Sequence, residues 1–243
     1  DKGISIESNI KDIPTNEKNT IFLTAKIIKE KYNIKKGLNL YLNKVLPHAA
    51  GLGGGSSNSA AVIEALNDIW NLKMKKKEKH DIASKIGTDV HFFLEGGTAY
   101  IKGKGEVTKR IKNFKWNHIL LIKPKVNIPT PYVYSNVRNE DLSEDENDDI
   151  LNIYNNNSEN EIIPYFKNDL EKIVFREFKE VEKIKKIMSE NNAKLSLMSG
   201  SGSSVFGLFD SKEDLNKCRK NMEKNYTKIY ITKTVEKGFD YER

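Results

Sequence analysis

The chain has 243 residues, 37% of them apolar and 31% charged, with a formal net charge of +7. That length allows one large or two modest domains, and the apolar share still permits a core. No run of about 18 apolar residues offers a membrane span, and the single cysteine, Cys218, excludes an intrachain disulfide and fits a reducing compartment.

Ile4-Ser5-Ile6-Glu7 reads as a strand already under way, so the chain is expected to open inside a domain, and its first residues do not read as a signal peptide. Residues 20–33 place Ile21, Ala25, Ile28 and Tyr32 at helical spacing, with Asn19 and Thr20 as capping residues. Leu38, Leu40 and Leu42 alternate within a strand over 38–46. A glycine run, Gly-Leu-Gly-Gly-Gly-Ser-Ser at 51–57, follows. Beyond it Ala61, Val62, Ala65, Leu66, Ile69 and Trp70 form the stripe of a helix over 58–71. A short helix is expected over 77–86, interrupted by residues 87–90. Turns at 96–97 and 103–105 flank a strand over 98–102. A second unit begins near residue 116. Residues 118–123 form an apolar strand that ends at Pro124, and residues 138–160, acidic and Asn-rich, read as a solvated insertion around a loop or short helix. One long helix carries Phe166, Leu170, Ile173, Val174, Phe178, Val181, Ile184 and Met188. Strands over 194–198, 204–209 and 227–232, with a helix near 211–223, complete a strand-helix-strand-strand-helix-strand order, the split βαβ or ferredoxin-like layout. Cys218 lies in that last helix and reads as packing.

The glycine run carries the chemistry. Four glycines in five positions bring the backbone close to a ligand and allow positive φ, and the helix that follows presents free N–H groups to an anion. A flexible linker is the bland alternative, but ordered elements flank the run tightly. No Lys follows Gly55, as a P-loop requires. An acidic ribose partner about 20 residues on, as a dinucleotide fold requires, is also missing; that distance lands in basic residues 73–79. Basic residues are scattered, as in 73–80 and 179–186, where they alternate with acids on presumed helix faces, and the field of a basic chain would draw an anionic small molecule as well as a nucleic acid. His48, His80, His91 and His118 lack metal-ligand spacing.

Residues 47–61, Pro-His-Ala-Ala-Gly-Leu-Gly-Gly-Gly-Ser-Ser-Asn-Ser-Ala-Ala, resemble the second motif of the GHMP kinases, small-molecule kinases named for galactose, homoserine, mevalonate and phosphomevalonate. The triple glycine is similar to one branch of them, the kinases of 4-diphosphocytidyl-2-C-methyl-D-erythritol. Three further segments match that branch in order: residues 87–99 (Gly-Thr-Asp-Val-His-Phe-Phe-Leu-Glu-Gly-Gly-Thr-Ala), residues 123–134 (Lys-Pro-Lys-Val-Asn-Ile-Pro-Thr-Pro-Tyr-Val-Tyr) and residues 198–209 (Met-Ser-Gly-Ser-Gly-Ser-Ser-Val-Phe-Gly-Leu-Phe), so the resemblance runs from about residue 3 to 233.

The resemblance implies an α+β protein of two domains. Residues 1–115 would form an ATP-binding domain like the second domain of ribosomal protein S5, and residues 116–243 a ferredoxin-like C-terminal domain. It implies transfer of a phosphoryl group from ATP to the 2-hydroxyl of 4-diphosphocytidyl-2-C-methyl-D-erythritol in non-mevalonate isoprenoid precursor synthesis. ATP would meet Lys44, Pro47, Ala50, Gly51, Leu52, Gly53, Gly54, Gly55, Ser56, Ser57 and Asn58. Asp89 would take the proton from the acceptor hydroxyl, a role a carboxylate suits, although Gly-Thr-Asp also suits a cap. Asn58 as a plain helix-start residue and Lys44 as a solvated strand lysine stay open. Thr130, Tyr134, Gly200, Ser201 and Gly202 would meet the substrate, with Tyr134 stacking on its cytosine; packing of Tyr134 at a strand or loop edge and a tight turn at 200–204 are the alternatives. Mg²⁺ is expected with the nucleotide, with Ser57 its one nominated protein ligand. The partners implied are the small-molecule substrate, with neither nucleic acid nor membrane, in a monomer or homodimer of the cytoplasm, or of a plastid-type organelle in a eukaryote. A homoserine or mevalonate type of GHMP kinase is the nearer alternative, and an S5-like RNA-binding module the more distant one.

The chain departs from the family pattern at His48, Ala49 and His91, where Met, Gly and Pro are usual. It also lacks the family's first motif, Ala-x-Ala-Lys-Ile-Asn-Leu, and the Asp-Gly-Tyr-His segment that follows it. The expectation drawn from that lack is a truncated first domain, unpaired strand edges, weak kinase activity and marginal solubility.

Overall fold

A computed structural model describes residues 3–103, 105, 107–143 and 147–240. In chain order the elements are β1 (Ile4–Ser8), α1 (Thr20–Lys31), β2 (Leu38–Leu42), α2 (Gly54–Ile69), α3 (Lys76–Ala83), α4 (Asp89–Glu95), β3 (Ala99–Lys102), β4 (Val107–Arg110), β5 (Ile119–Ile122), α5 (Thr130–Ser135), α6 (Asn147–Asn156), α7 (Glu159–Ile162), α8 (Leu170–Glu177), α9 (Lys179–Glu190), β6 (Leu195–Met198), β7 (Val205–Leu208), α10 (Lys212–Met222) and β8 (Ile229–Thr232). They divide into two compact units. Unit 1 takes the described residues of 1–46, 53–113 and 235–243; unit 2 takes residues 47–52 and 114–234.

In unit 1, β1 and β2 pair in parallel, Ile6 opposite Leu40, and β3 and β4 form an antiparallel hairpin. The helices supply the core. Ala25 and Ile28 of α1, Ala60, Ile63 and Leu66 of α2, Ile82 and Ala83 of α3 and Val90 of α4 are all essentially buried in one cluster. Burial of each large aliphatic side chain contributes roughly 1.5–3 kcal/mol. The Asn19 side chain accepts from Ile21 N and caps α1 as its sequence position predicts. Two boundaries differ from expectation. The strand at 38–46 ends at Leu42, and α2 starts at Gly54 rather than near residue 58. Glycine is a poor helix former in an interior, but the first positions of α2 need no intrahelical N–H bond, and packing of α2 on α1 and α4 draws the start into the glycine run. Strand β4 has no counterpart among the expected elements, and of the turn over 103–105 Lys104 lies outside the described residues.

In unit 2 the sheet order is β6-β7-β5-β8 with every neighbouring pair antiparallel, the ferredoxin-like order. Ile122 sits opposite both Val205 and Ile229. Leu120 and Ile122 alternate with half-buried Ile119 and Leu121 along β5, so one side of that strand enters the core. There they meet Val174 of α8, Val181, Ile184 and Met188 of α9 and Leu215, Cys218 and Met222 of α10. The expected single helix over 166–188 is two. Phe178 (φ −104°, ψ 67°) leaves helical geometry, closing α8 through its N–H to Val174 O and opening α9 through its carbonyl. Its ring meets Tyr132 edge-on with centroids 6.0 Å apart, a tertiary contact that apolar periodicity does not report. The segment at 138–160 is also more ordered than an insertion. It holds a 3₁₀ turn (Asn139–Asp141), α6 and α7, and buries Asp141 and Tyr154; residues 144–146 lie outside the described residues.

Candidate active site

The glycine run is shared between the units, with Leu52 in unit 2 and Gly53 in unit 1. In unit 1, Gly53 takes the left-handed conformation (φ 60°, ψ 18°) as the residue before α2, and no side chain caps the first turn. A Cβ at Gly53 would lie 2.6 Å from the Phe93 ring, so only glycine fits there. The amides of Gly54, Gly55 and Ser56 thus open a 16-residue helix without a side-chain acceptor, the arrangement that binds anions. Thr20 Oγ1 donates to Gly55 O at 3.2 Å and fastens this turn to α1. Ser56, Ser57 and Asn58 are half-buried in the same first turns.

Lys44 completes this corner. Its backbone is held by Asn9, whose Oδ1 accepts from Lys44 N at 2.7 Å and whose Nδ2 donates to Lys44 O at 3.3 Å. The ammonium reaches the start of α2, 2.7 Å from where a Cβ on Gly54 would sit. Burial pulls the Lys44 pKa down, and no carboxylate pairs with it among the described residues. A partly desolvated cation beside uncapped amides is a site for a polyanion. A phosphate chain fits this donor set. Mg²⁺, which keeps several waters and phosphate oxygens, fits a single hydroxyl such as Ser57. Among the described residues, no group of three or more His, Cys, Asp or Glu gathers to hold a metal by itself.

Asp89 is the first residue of α4, exposed, with Thr88 Oγ1 3.5 Å from its Oδ1. Helix α4 packs against α2 and sends Phe93 onto Gly53, so it joins the carboxylate's helix to the glycine turn. His91, standing where the family pattern has proline, is buried and ties α4 to α3. Its Nδ1 lies 2.8 Å from His80 Nδ1 and its Nε2 3.1 Å from Ser84 Oγ. His80 Nε2 in turn meets Glu95 at 2.8 Å, and Lys76 reaches the same carboxylate at 2.7 Å. Burial would raise the Glu95 pKa, but hydrogen bonds from Lys76 and His80 outweigh it and hold it low.

In unit 2, Pro47 and Ala50 are buried, and Gly51 (φ 70°) touches the 199–204 loop so closely that a Cβ would fall 2.1 Å from Ser199 O. Ser199 Oγ donates to Gly51 O at 2.8 Å and Ser204 N to Ala50 O at 3.2 Å. Gly200 and Gly202 both have positive φ, and buried Ser201 bonds Thr130 through their hydroxyls at 2.9 Å. Thr130 opens α5, and Tyr134 stands on the same short helix, 61% exposed, rather than at a strand or loop edge. That exposure removes core packing as its role and leaves a ring face open to a partner. Each of the sequence-nominated residues therefore belongs to one of two local assemblies: Lys44, Gly53–Asn58 and Asp89 in unit 1, and Pro47, Ala50, Gly51, Leu52, Thr130, Tyr134 and Gly200–Gly202 in unit 2. Asn9 and Thr20 escaped sequence reading as site residues, the second because its position signalled only a helix cap.

The GHMP kinases N terminal domain model matches residues 19–97, and the GHMP kinases C terminal model matches residues 144–228. The 4-diphosphocytidyl-2-C-methyl-D-erythritol kinase of Clostridium acetobutylicum is 36% identical over 97% of this chain and 84% of its own length. A crystal structure of 4-(cytidine 5'-diphospho)-2C-methyl-D-erythritol kinase superimposes with a TM-score of 0.78 at 28% identity, covering 96% of this chain and 82% of that one. The homoserine kinase of Cytophaga hutchinsonii, 20% identical, shares the fold with a TM-score of 0.80 over 98% of this chain and 84% of its own. Uncapped amides and a desolvated lysine at one end of α2, an exposed carboxylate at the head of α4 and these matches along nearly the whole chain have one reading: the chain belongs to the GHMP kinase family, in the branch of the 4-diphosphocytidyl-2-C-methyl-D-erythritol kinases.

Proposed function

We propose that this chain transfers the γ-phosphoryl group of ATP to the 2-hydroxyl of 4-diphosphocytidyl-2-C-methyl-D-erythritol, in the cytoplasm. The observation that carries the reading is the corner at the start of α2, where uncapped helix amides meet the half-buried ammonium of Lys44, which no carboxylate among the described residues pairs. Bound ATP would supply the phosphoryl group, and Mg²⁺ held with it, with Ser57 as its protein ligand, would neutralise phosphate charge. The amides of Gly54, Gly55 and Ser56 orient the phosphates, and Lys44 adds a fixed positive charge. Ser57 offers its hydroxyl to the metal, and Asn58 lies one residue farther along the helix. Asp89 accepts the proton of the attacking hydroxyl at its carboxylate and so raises the nucleophilicity of that oxygen. Thr130 and the Gly200–Gly202 loop offer the substrate hydrogen bonds, and the open ring of Tyr134 offers a stacking face to the cytosine.

The test is ADP release coupled to 4-diphosphocytidyl-2-C-methyl-D-erythritol, with homoserine and mevalonate as competing acceptors. Turnover should require the cytidylyl acceptor and Mg²⁺. Asp89→Asn should lower kcat by about 10²–10⁴-fold, the usual worth of a positioned base, with ATP affinity changed less than about twofold. Preference for homoserine or mevalonate would move the chain to another branch, and unchanged turnover in Asp89→Asn would remove that residue from the base role.

A further inference from the structure

The 199–204 loop, between β6 and β7, holds three of the substrate residues proposed above, yet its shape is not set by its own sequence alone. Gly200 (φ 52°) and Gly202 (φ 82°) leave it conformationally permissive. Its internal bonds are two, Ser199 N to Ser204 O at 2.8 Å and Gly202 N to Ser199 O at 2.9 Å. What spans the bend from outside is Asn168, at the turn that leads into α8. One side-chain nitrogen, Nδ2, donates to Met198 O at 2.7 Å and to Gly200 O at 2.9 Å. The same amide's Oδ1 accepts from Leu170 N at 3.1 Å, so the side chain is fixed at both ends. One turn on, the buried carboxylate of Glu171 accepts from Met198 N at 2.8 Å, and Lys185 of α9 pairs with its other oxygen. Both backbone polar groups of Met198 are thus held by α8, and the carbonyl of Gly200 two residues later is held by the same amide.

We propose that Asn168, seconded by Glu171, is a positioning residue for the phosphoryl-transfer reaction: it sets the backbone of the Gly200–Gly202 loop and thereby the place of Ser201, without touching substrate. The proposal rests on the reading of that loop as a substrate contact. A primary amide such as that of Asn168 can do both jobs, since the bend needs two N–H donors toward carbonyl oxygens and the helix start needs an acceptor. Aspartate would keep the acceptor but turn a carboxylate oxygen toward the carbonyls of Met198 and Gly200. Serine would keep a good helix cap but is too short to span the bend. Loss of these bonds loosens the loop at Gly200, leaving its anchors through Ser199, Ser201 and Ser204, and a misplacement of about 1 Å can cost as much as 10²-fold in rate.

The experiment compares Asn168→Ser and Asn168→Asp with the parent chain by two independent readouts. The first is amide hydrogen exchange of the unliganded protein, read at Ser199 and Gly202. Both variants should speed exchange there by at least about tenfold, the worth of roughly one hydrogen bond, while amides of β5 and α9 keep their protection. The second is steady-state kinetics. KM for 4-diphosphocytidyl-2-C-methyl-D-erythritol should rise about tenfold or kcat should fall about as much, more in Asp than in Ser, while KM for ATP stays within about twofold. Both changes together support the proposal. Unchanged exchange at Ser199 and Gly202 overturns it, whatever the kinetics. Faster exchange with unchanged kinetics overturns the assignment of the loop to substrate instead, and the positioning role with it. Serine retains the cap, so a variant that folds is available even if the aspartate variant does not.

Discussion

Glycines 53 and 54 are adjacent, yet their reasons for being glycine differ, and so do the effects of changing them. At Gly53 the backbone is left-handed and the Phe93 ring fills the Cβ position. At Gly54 the backbone is helical, and the only neighbour a Cβ meets is the end of the Lys44 side chain, at 2.7 Å. Lysine is flexible and can swing away. Gly54→Ala should therefore leave Tm unchanged or slightly raised, because alanine is the better helix former by up to about 1 kcal/mol. It should also weaken ATP binding about tenfold by displacing the ammonium from the α2 start. Paired thermal melts and nucleotide titrations check both signs; equal ATP affinity would remove Lys44 from the phosphate site. At this scale the sequence nominates the candidate site without testing it. The glycines, Lys44, Asp89, Thr130, Tyr134 and Ser201 can be nominated from residue type and motif order. Asn168 could not, because its role depends on carbonyls 30 and 32 residues away, and nothing near Asn168 in sequence signals them.

Among the elements, α1 and α3 are joined by one bond whose titration can be followed. Tyr32, the C-terminal cap residue of α1, donates its hydroxyl to Glu78 of α3 at 2.8 Å. Burial first, and the hydrogen bond and charge of Glu78 second, push the tyrosine pKa up to about 12. The unfolded chain loses this proton near pH 10, while the folded chain keeps it to about 12. The folded state thus binds more protons across that window, and stability falls as pH rises from about 10 to 12. Tyr32→Phe should flatten this part of a Tm-against-pH curve; an unchanged alkaline slope would show that the Tyr32 bond does not contribute. Boundaries were the least legible feature here. Apolar spacing marks the faces of α1 and α9, but α8 and α9 separate at Phe178, whose backbone leaves helical geometry and whose ring meets Tyr132. Tyr134 stands on a helix because the residues around it start one at Pro129, where proline fixes φ.

Over the whole molecule, acid is the weak side. In Asp141, burial would raise the pKa, but the N–H of Arg138 and the guanidinium of Arg176 outweigh it and hold it below the ordinary range. Asp169 is held low likewise, with Ser143 donating twice against the effect of burial. Groups with depressed folded values stabilise the fold above their unfolded pKa, near 4, and that contribution is lost as pH falls through their lower folded values. Protonating carboxylates also raises the net charge above +7, and self-repulsion grows. Tm should therefore drop steeply below about pH 4.5. The stability gap between the parent chain and Asp141→Asn should narrow over the same range; a constant gap would exclude Asp141 from acid unfolding. The strand-helix-strand-strand-helix-strand layout of unit 2, the helical faces, the glycine run as a candidate phosphate site and the family were legible in the sequence by itself, because periodicity, φ permission and motif order are local properties of the chain. Tertiary structure alone decided that the glycine run divides between two compact units, that Lys44 lies half-buried over the start of α2, that a histidine pair ties α4 to α3 and that Asn168 spans the 199–204 loop. Each of these depends on atoms distant in sequence meeting at hydrogen-bond or van der Waals range, and that meeting is set by how the cores pack.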